Sequence, residues 1–397
     1  PAGSVTSLFQ PSSRVRRTPI YQVPFNRPPM SIAALESVQQ ALMGTHHSGD
    51  GPWTGKATAA LRTLTGHSHL MLTTSGTHAL ELACMALGLS SDDEVIVPSF
   101  TFTSTATASA RTGAVVRFAD VDEQTLSITP ETVESRLSDR TRAIITVHYA
   151  GIADRPDDLA RLADSHTVAL VEDNAHGLGG SWDGQPLGSF GCLSALSFHE
   201  TKNLSCGEGG ALGINDEALM TKCEVIREKG TNRSQFFRGE VDKYTWVGPG
   251  SSFLPSDILA AMLVGQLLGF EETQRRRKEV WDTYARELLP WAQHVGASLP
   301  HVPARADHPA HLFYILAPDA DSRTRLSAHL NAYGIQAPFH YQPLHGSQGG
   351  RMAAGRHRDE CPVTADVSSR LLRLPIFSTI TDDQIARVVE GVSSFRS

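Results

Sequence analysis

Three stretches of the chain carry residues whose types and positions suit chemistry. Val168 to Val171 reads as an apolar strand running into Glu172-Asp173, which sets a carboxylate at the carboxyl edge of a parallel sheet, where α/β proteins bind ligands. A second strand, Ser194 to Phe198, ends in His199-Glu200-Thr201-Lys202-Asn203 and the flexible Gly207-Glu208-Gly209-Gly210, so a lysine amine arrives at another strand end. Thr74-Ser75-Gly76-Thr77 precedes a helical run from His78 to Leu87 and offers hydroxyls and backbone N–H groups at a helix N-terminus, ready for a phosphate. An amine for a carbonyl, an acid for a pyridinium nitrogen and an anion cradle are the three handles of pyridoxal phosphate. Singly, each fits a plainer role as well: Asp173 as a strand-end turn residue, Lys202 as a solvated lysine, Ser75-Gly76-Thr77 as an ordinary cap.

The elements that must position these groups follow from the periodicity. Glu94 to Pro98, Val115 to Asp120, Arg142 to Val147, Thr167 to Glu172 and Ser194 to His199 read as strands, with amphipathic segments such as Asp157 to Asp164 between them. Apolar strands alternating with helices imply an α/β unit with a largely parallel sheet covered on both faces. After Leu254 a long helical stretch runs through Leu289, and a Pro- and His-containing linker follows around His301 to His311. A smaller α+β unit is expected next, with strands at Leu312 to Ala317 and Gly334 to His340 and a closing helix near Asp382 to Phe395. The expected organisation is an N-terminal extension without structure over 1–21, a large domain over 22–255 and a long helix plus small domain over 256–397.

Composition and failed motifs narrow the chemistry. The chain has 397 residues, 40% apolar and 19% charged, which is a globular balance with volume for a large core. A net charge of −7 argues against nucleic acid as a partner. Five cysteines without a CxxC pair propose neither a disulfide framework nor a zinc knuckle, and fit a reducing cytoplasm. No apolar run is long enough for a membrane span or a secretory signal. Gly51-Pro-Trp-Thr-Gly55-Lys56 lacks the spacing of a phosphate loop, Gly177-Leu-Gly179-Gly180 that of a dinucleotide fingerprint, and His199-Glu200 the second His of a zinc-protease helix. No metal is expected.

Five ordered motifs resemble the DegT-like nucleotide-sugar aminotransferases. They are Thr74-Ser-Gly76-Thr77-x-Ala79-Leu80-Glu81, Pro98-Ser-Phe-Thr-Phe102, Val171-Glu-Asp173-x-Ala175-His176, Ser197-Phe-His-Glu-Thr-Lys202-Asn203 and Gly207-Glu-Gly-Gly210. The resemblance runs from about Val23 to Phe395, and Arg227 to Arg238 with Lys243-Tyr-Thr-Trp246 is similar more narrowly to the family's dTDP-4-amino-4,6-dideoxygalactose transaminases. It implies the fold-type I architecture, a seven-stranded, mostly parallel sheet with a smaller C-terminal domain, and a homodimer with active sites at the subunit interface. It implies pyridoxal 5'-phosphate, alternating with its pyridoxamine form. Lys202 would carry the cofactor and move the proton, Asp173 would keep the ring nitrogen protonated, and Phe102 would stack on the ring. Ser75, Gly76, Thr77 and Ser197 would hold the phosphate, and His176 would lie near the ring hydroxyl. Where many relatives reach the partner's phosphate with Gly-Tyr-Asn, this chain reads Gly250-Ser251-Ser252, so Ser252 would donate that bond with a shorter side chain. Asn174 also stands where relatives often carry a small residue.

On the substrate side, Asn26, His340 and Tyr341 fall in segments that in the family flank the sugar-nucleotide pocket. Arg233, Arg238 and Lys243, in a polar and aromatic loop, are the candidates for a diphosphate, a charge run on a solvated face being the alternative. The implied reaction moves the amine of glutamate to C4 of a nucleotide-linked 4-keto-6-deoxy sugar, in the galacto or gluco series. Alternatives are a C3 aminotransferase or a cofactor-binding regulatory protein without turnover. The family's sugar dehydratases carry His in place of the lysine, and Lys202 argues against that reaction.

Overall fold

Seven strands build the central sheet: β1 His69–Thr73, β2 Glu94–Pro98, β3 Val115–Ala119, β4 Thr141–Val147, β5 Ala169–Asp173, β6 Leu193–Ser197 and β7 Gly210–Ile214. Their order in this computed structural model is β1-β7-β6-β5-β4-β2-β3. The paired strands run parallel, except that β7 is antiparallel to both its neighbours. The structure describes residues 21–29 and 31–396, so the expected extension over 1–21 lies, Tyr21 apart, outside the described residues.

Short, near-continuous apolar strands such as Val95-Ile96-Val97 are buried on both faces, as a covered parallel sheet requires. The helices Gly76–Leu87 and Thr103–Ala110 cover one face through Leu80, Ala83, Ala106 and Ala108. Against the opposite face a larger core gathers Phe100, Tyr149, Tyr284 and Phe313, and so joins the sheet to the C-terminal elements. There β8 Phe313–Leu316 pairs antiparallel with β9 Leu371–Leu374.

Several elements depart from the sequence expectation. The helical stretch after Leu254 is two helices, Asp257–Leu267 and Phe270–Val295, divided at Leu268-Gly269. Gly334 to His340 is not a strand. Gly334 takes φ +72° and Pro338 has no N–H for a ladder, so the segment makes isolated backbone contacts, Ile335 bridging Val23 and Pro338 O accepting from Arg373 N at 2.9 Å, and Leu371–Leu374 takes the place beside β8. β1 and β7 were not expected as strands. Gly210, which opens β7, reads with Gly207-Glu208-Gly209 as a flexible loop, yet it is needed for close approach: a Cβ there would lie 2.4 Å from the carbonyl carbon of Ser75.

Candidate functional site

β1, β4, β5 and β6 end at one edge of the sheet, where Val147 pairs with Asp173 and Asp173 with Ala195. The three chemical stretches of the sequence therefore converge. A cavity of about 480 Å³ opens there, lined among others by Ser75, Gly76, Thr77, Phe102, Asp173, His176, Ser197 and Lys202. Asn26, His340 and Tyr341 line it too.

Asp173 is the last residue of β5 and is buried. Thr105 Oγ1, in the helix Thr103–Ala110, donates to its Oδ2 at 2.8 Å, and the Ala175 N–H approaches Oδ1 at 3.3 Å. Because the Thr105 proton is committed to Asp173, the Thr101 hydroxyl donates to Thr105 Oγ1 at 2.8 Å. Burial pushes the Asp173 carboxyl up, opposed by the Thr105 bond and the charge of Lys202. Lys202 follows β6 on a turn closed by its own N–H to His199 O at 2.9 Å. Burial lowers its amine to about 8 in spite of the Asp173 charge, with Arg373 adding to the depression. About a tenth of the amine is then uncharged at pH 7, the form that attacks a carbonyl.

The phosphate end of the site is an exposed-facing helix N-terminus. Ser75 caps the helix Gly76–Leu87, its Oγ accepting from His78 N at 3.1 Å, while the Gly76 and Thr77 N–H groups have no intrahelical acceptor. A Cβ on Gly76 would meet Ser197 Cβ at 2.9 Å, so glycine leaves a cradle between these two elements. Phe102 precedes the helix Thr103–Ala110 and is 57% exposed, presenting its ring at the cavity. His176 is buried with Nδ1 lacking any hydrogen-bond partner, and its ring stacks on His311 at 4.3 Å. A flat ring, an anionic arm, a carbonyl reaching Lys202 and a hydroxyl near His176 all find matching groups, and the donor set fits pyridoxal 5'-phosphate.

Three residues expected on the substrate side are not brought to this cavity, and Ser252, expected to serve a partner subunit's site, does not line it. Arg233 pairs with Glu228 at 2.9 Å, and Arg238 with Glu224 and Glu240 at 2.6 Å each, so both guanidiniums already have carboxylates. Lys243 is exposed on the same loop, and Ser252 is exposed with its backbone bridged to Glu228.

Other groups at the site escaped the sequence reading. Thr101 and Thr105 are four residues apart, a helical spacing that the strand-end motifs drew attention away from. His311 Nδ1 donates to Asn203 Oδ1 at 2.9 Å, and buried Arg277 donates to the carbonyls of Ala310 and His311, fixing that ring. Arg373 enters from β9, and its signal was a lone charge in Leu-Leu-Arg-Leu. Asn174 also finds its reason, since its side chain donates to Leu187 O at 2.7 Å and ties the strand end to the turn before β6.

Among the described residues no group of three or more His, Cys, Asp or Glu is placed to hold a metal ion, and no helix is long and apolar enough to cross a membrane. The profile of the DegT/DnrJ/EryC1/StrS aminotransferase family matches residues 30–393. The fold is similar to that of an aminotransferase, TlmJ, from Streptoalloteichus hindustanus, at 27% identity and TM-score 0.84 over 94% of this chain and 98% of that one. The sugar aminotransferase CalS13 from Micromonospora echinospora superposes with TM-score 0.85 at 24% identity, over 94% and 99%. Spr1654 from Streptococcus pneumoniae, solved in PLP and PMP forms, gives TM-score 0.86 at 23% identity, over 94% and 98%.

Proposed function

Because this chain belongs to the DegT/DnrJ/EryC1/StrS aminotransferase family and is a pyridoxal 5'-phosphate-dependent sugar aminotransferase, we propose that it moves the amine of glutamate to C4 of dTDP-4-keto-6-deoxyglucose. The observation that carries the reading is the convergence of Lys202, Asp173 and the Gly76-Thr77 cradle on one cavity. When bound, the cofactor supplies an electron sink that makes the proton on the amine-bearing carbon acidic. In this reading Lys202 holds and delivers that proton, and its depressed basicity suits exchange near neutral pH. Asp173 would favour the protonated form of the ring nitrogen. Gly76, Thr77 and Ser197 would hold the phosphate and Phe102 would cover the ring, with Asn26, His340 and Tyr341 lining the sugar side. A homodimer in the cytoplasm belongs to the same reading. It is supported by the exposed apolar Phe237, Trp246 and Val247 beside Arg233 and Arg238, and by five unpaired cysteines.

Proton NMR of the nucleotide sugar recovered after incubation with dTDP-4-keto-6-deoxyglucose, glutamate and cofactor tests it. An amine at C4 is expected, and the H3–H4 coupling separates galacto from gluco. Unchanged ketone from protein that visibly carries cofactor refutes the C4 assignment. Lys202→Ala protein should bind cofactor without turnover; ordinary turnover by it would remove the mechanism.

A further inference from the structure

Asn203 follows Lys202 directly, yet it does not line the cavity. It is buried, and its side chain bonds to elements far along the chain. Nδ2 donates to Pro309 O at 2.7 Å and to Gln274 Oε1 at 2.8 Å, and Oδ1 accepts from His311 Nδ1 at 2.9 Å. A backbone carbonyl only accepts, so Pro309 decides which end of the amide is which, and His311 must carry its proton on Nδ1. Both amide hydrogens are then committed in a single arrangement.

The partners are themselves held. Gln274 stands in the helix Phe270–Val295, and its Nε2 reaches Pro309 O at 3.3 Å. Pro309 is wedged against Gly151, where a Cβ would lie 2.5 Å from Pro309 Cδ. Ala310 is fully enclosed and takes φ +49°, a left-handed backbone that costs a non-glycine residue about 1–3 kcal/mol. That turn sends the carbonyls of Ala310 and His311 to Arg277, which is buried and meets no carboxylate among the described residues. Backbone strain and a buried cation persist where the surroundings over-determine them, and here both serve the segment that grips Asn203.

The reactive amine has no such grip of its own. Among the described residues no hydrogen bond holds the Lys202 amine, so the backbone that carries it sets its place in the cavity. That backbone lies in the loop between β6 and β7, where Gly207 takes φ +84°. The loop is tied on one side of the lysine by Asn26 Nδ2 donating to Glu200 O at 3.0 Å, and on the other by the three bonds of Asn203. We propose that Asn203 is a positioning residue for Lys202, passing the rigid frame of Gln274, Pro309 and His311 to the turn that carries the amine. The inference rests on the cofactor-dependent aminotransfer reading and deepens it.

The test measures attachment in place of turnover. The lysine nitrogen bonds to the aldehyde carbon of pyridoxal 5'-phosphate as water leaves; sodium borohydride then adds hydride to the carbon of that C=N bond, nitrogen takes a proton from water, and a stable secondary amine remains. Apoprotein is mixed with cofactor, quenched with borohydride at intervals, and the mass of the intact chain gives the fraction attached. Asn203→Ala should slow attachment roughly 10- to 100-fold, the effect of misplacing a reacting atom by about 1 Å. Gln274→Ala, which removes one partner from a half-buried helix position, should slow it by about 3- to 10-fold, the equivalent of one hydrogen bond. In a Lys202→Ala background, where binding is noncovalent, Asn203→Ala should leave the cofactor dissociation constant within about threefold, since Asn203 then shares no partner with the ligand. The pH midpoint of attachment should rise in Asn203→Ala, because burial is what lowers the Lys202 amine to about 8, with Asp173 opposing and Arg373 adding. The nearby rings of His176, His311 and His340 are held neutral by burial and do not titrate in that range. Attachment within about threefold of wild type in Asn203→Ala, or an equal loss of affinity in the Lys202→Ala background, overturns the positioning role and leaves aminotransfer intact. Where Asn203→Ala does not fold, Gln274→Ala decides by the same two measurements. Wild-type protein on which borohydride fixes no cofactor refutes the cofactor reading itself, and the proposal with it.

Discussion

Removing one methyl-for-hydroxyl difference at Thr105 should loosen the cofactor. Thr105 is fully enclosed, and its hydroxyl makes the shortest bond to the Asp173 carboxylate, 2.8 Å against 3.3 Å for the Ala175 N–H. Valine fills the same space and keeps the helix Thr103–Ala110 packed against Thr101, so the change isolates the hydrogen bond. A bond to a charged acceptor in an enclosed site contributes about 1.5–3 kcal/mol, which is roughly 10- to 100-fold in a dissociation constant. Without it burial acts on Asp173 with less opposition, and the carboxylate form that would face a ring cation is disfavoured further. The assay is titration of apoprotein with pyridoxal 5'-phosphate, followed by quenching of tryptophan fluorescence. Both proteins carry Lys202→Ala, so that covalent attachment does not mask the difference. Thr101→Val removes only the outer donor of the relay and should cost about threefold or less. A Thr105→Val constant within threefold of its parent, or a larger effect at Thr101, refutes the assignment of Asp173 as the charge that holds the ring.

Four further substitutions probe the frame. Glu172→Gln should cost about 3–5 kcal/mol by urea denaturation, because Glu172 accepts from His148 and from the backbone of Gly188, Phe190 and Gly191, and an amide must turn a donor toward one of those pairs. Hydrogen bonds hold the folded carboxyl of Glu172 below its ordinary value against the effect of burial, so its contribution is present above the unfolded value and fades as pH falls through the folded one; the gap to Glu172→Gln should close in acid. Asp173 has the opposite sign: its raised folded value costs stability at neutral pH, so Asp173→Asn apoprotein should melt no lower than wild type while gaining less from added cofactor in a thermal scan. Gly210→Ala should lose about 3 kcal/mol or more and bind cofactor poorly, since its Cβ would strike the backbone of Ser75 and Gly76, whereas Gly55→Ala, with open space around it, should be neutral or stabilising by the same measurement.

What could be read in advance was what rests on local pattern. Apolar runs placed β2 to β6 to within two residues of their ends, and the cap at Ser75 followed from a hydroxyl before a helical run. Contacts between distant segments left no such mark. β7 is spelled with glycines because Ser75 and His67 press on it, a reason that exists only after folding. Arg233, Arg238 and Lys243 look free in the sequence, yet Glu224, Glu228 and Glu240 neutralise the two arginines, and the cation that does stand unpaired in the cavity comes from β9, far along the chain.

The pair Glu172-Asp173 shows how the fold divides labour between like groups. Two adjacent carboxylates end one strand, and nothing in their types says which one serves chemistry. Successive residues in a strand point to opposite faces. One face meets His148 and the turn Gly188 to Gly191, whose donors enclose Glu172 and hold it ionised. The other meets the helix Thr103–Ala110 and the cavity, where Asp173 receives one strong bond and one long one and so keeps acceptor capacity for a ligand. A carboxylate saturated by four donors is bound into the structure; one left short of partners is available. Shifting β5 by one residue would exchange the two environments and put the saturated group at the cavity. The Glu172 contacts to β4's end and to the turn before β6 therefore also fix the register that presents Asp173. Glu172→Gln should accordingly weaken cofactor binding through displacement of Asp173, although Glu172 does not line the cavity.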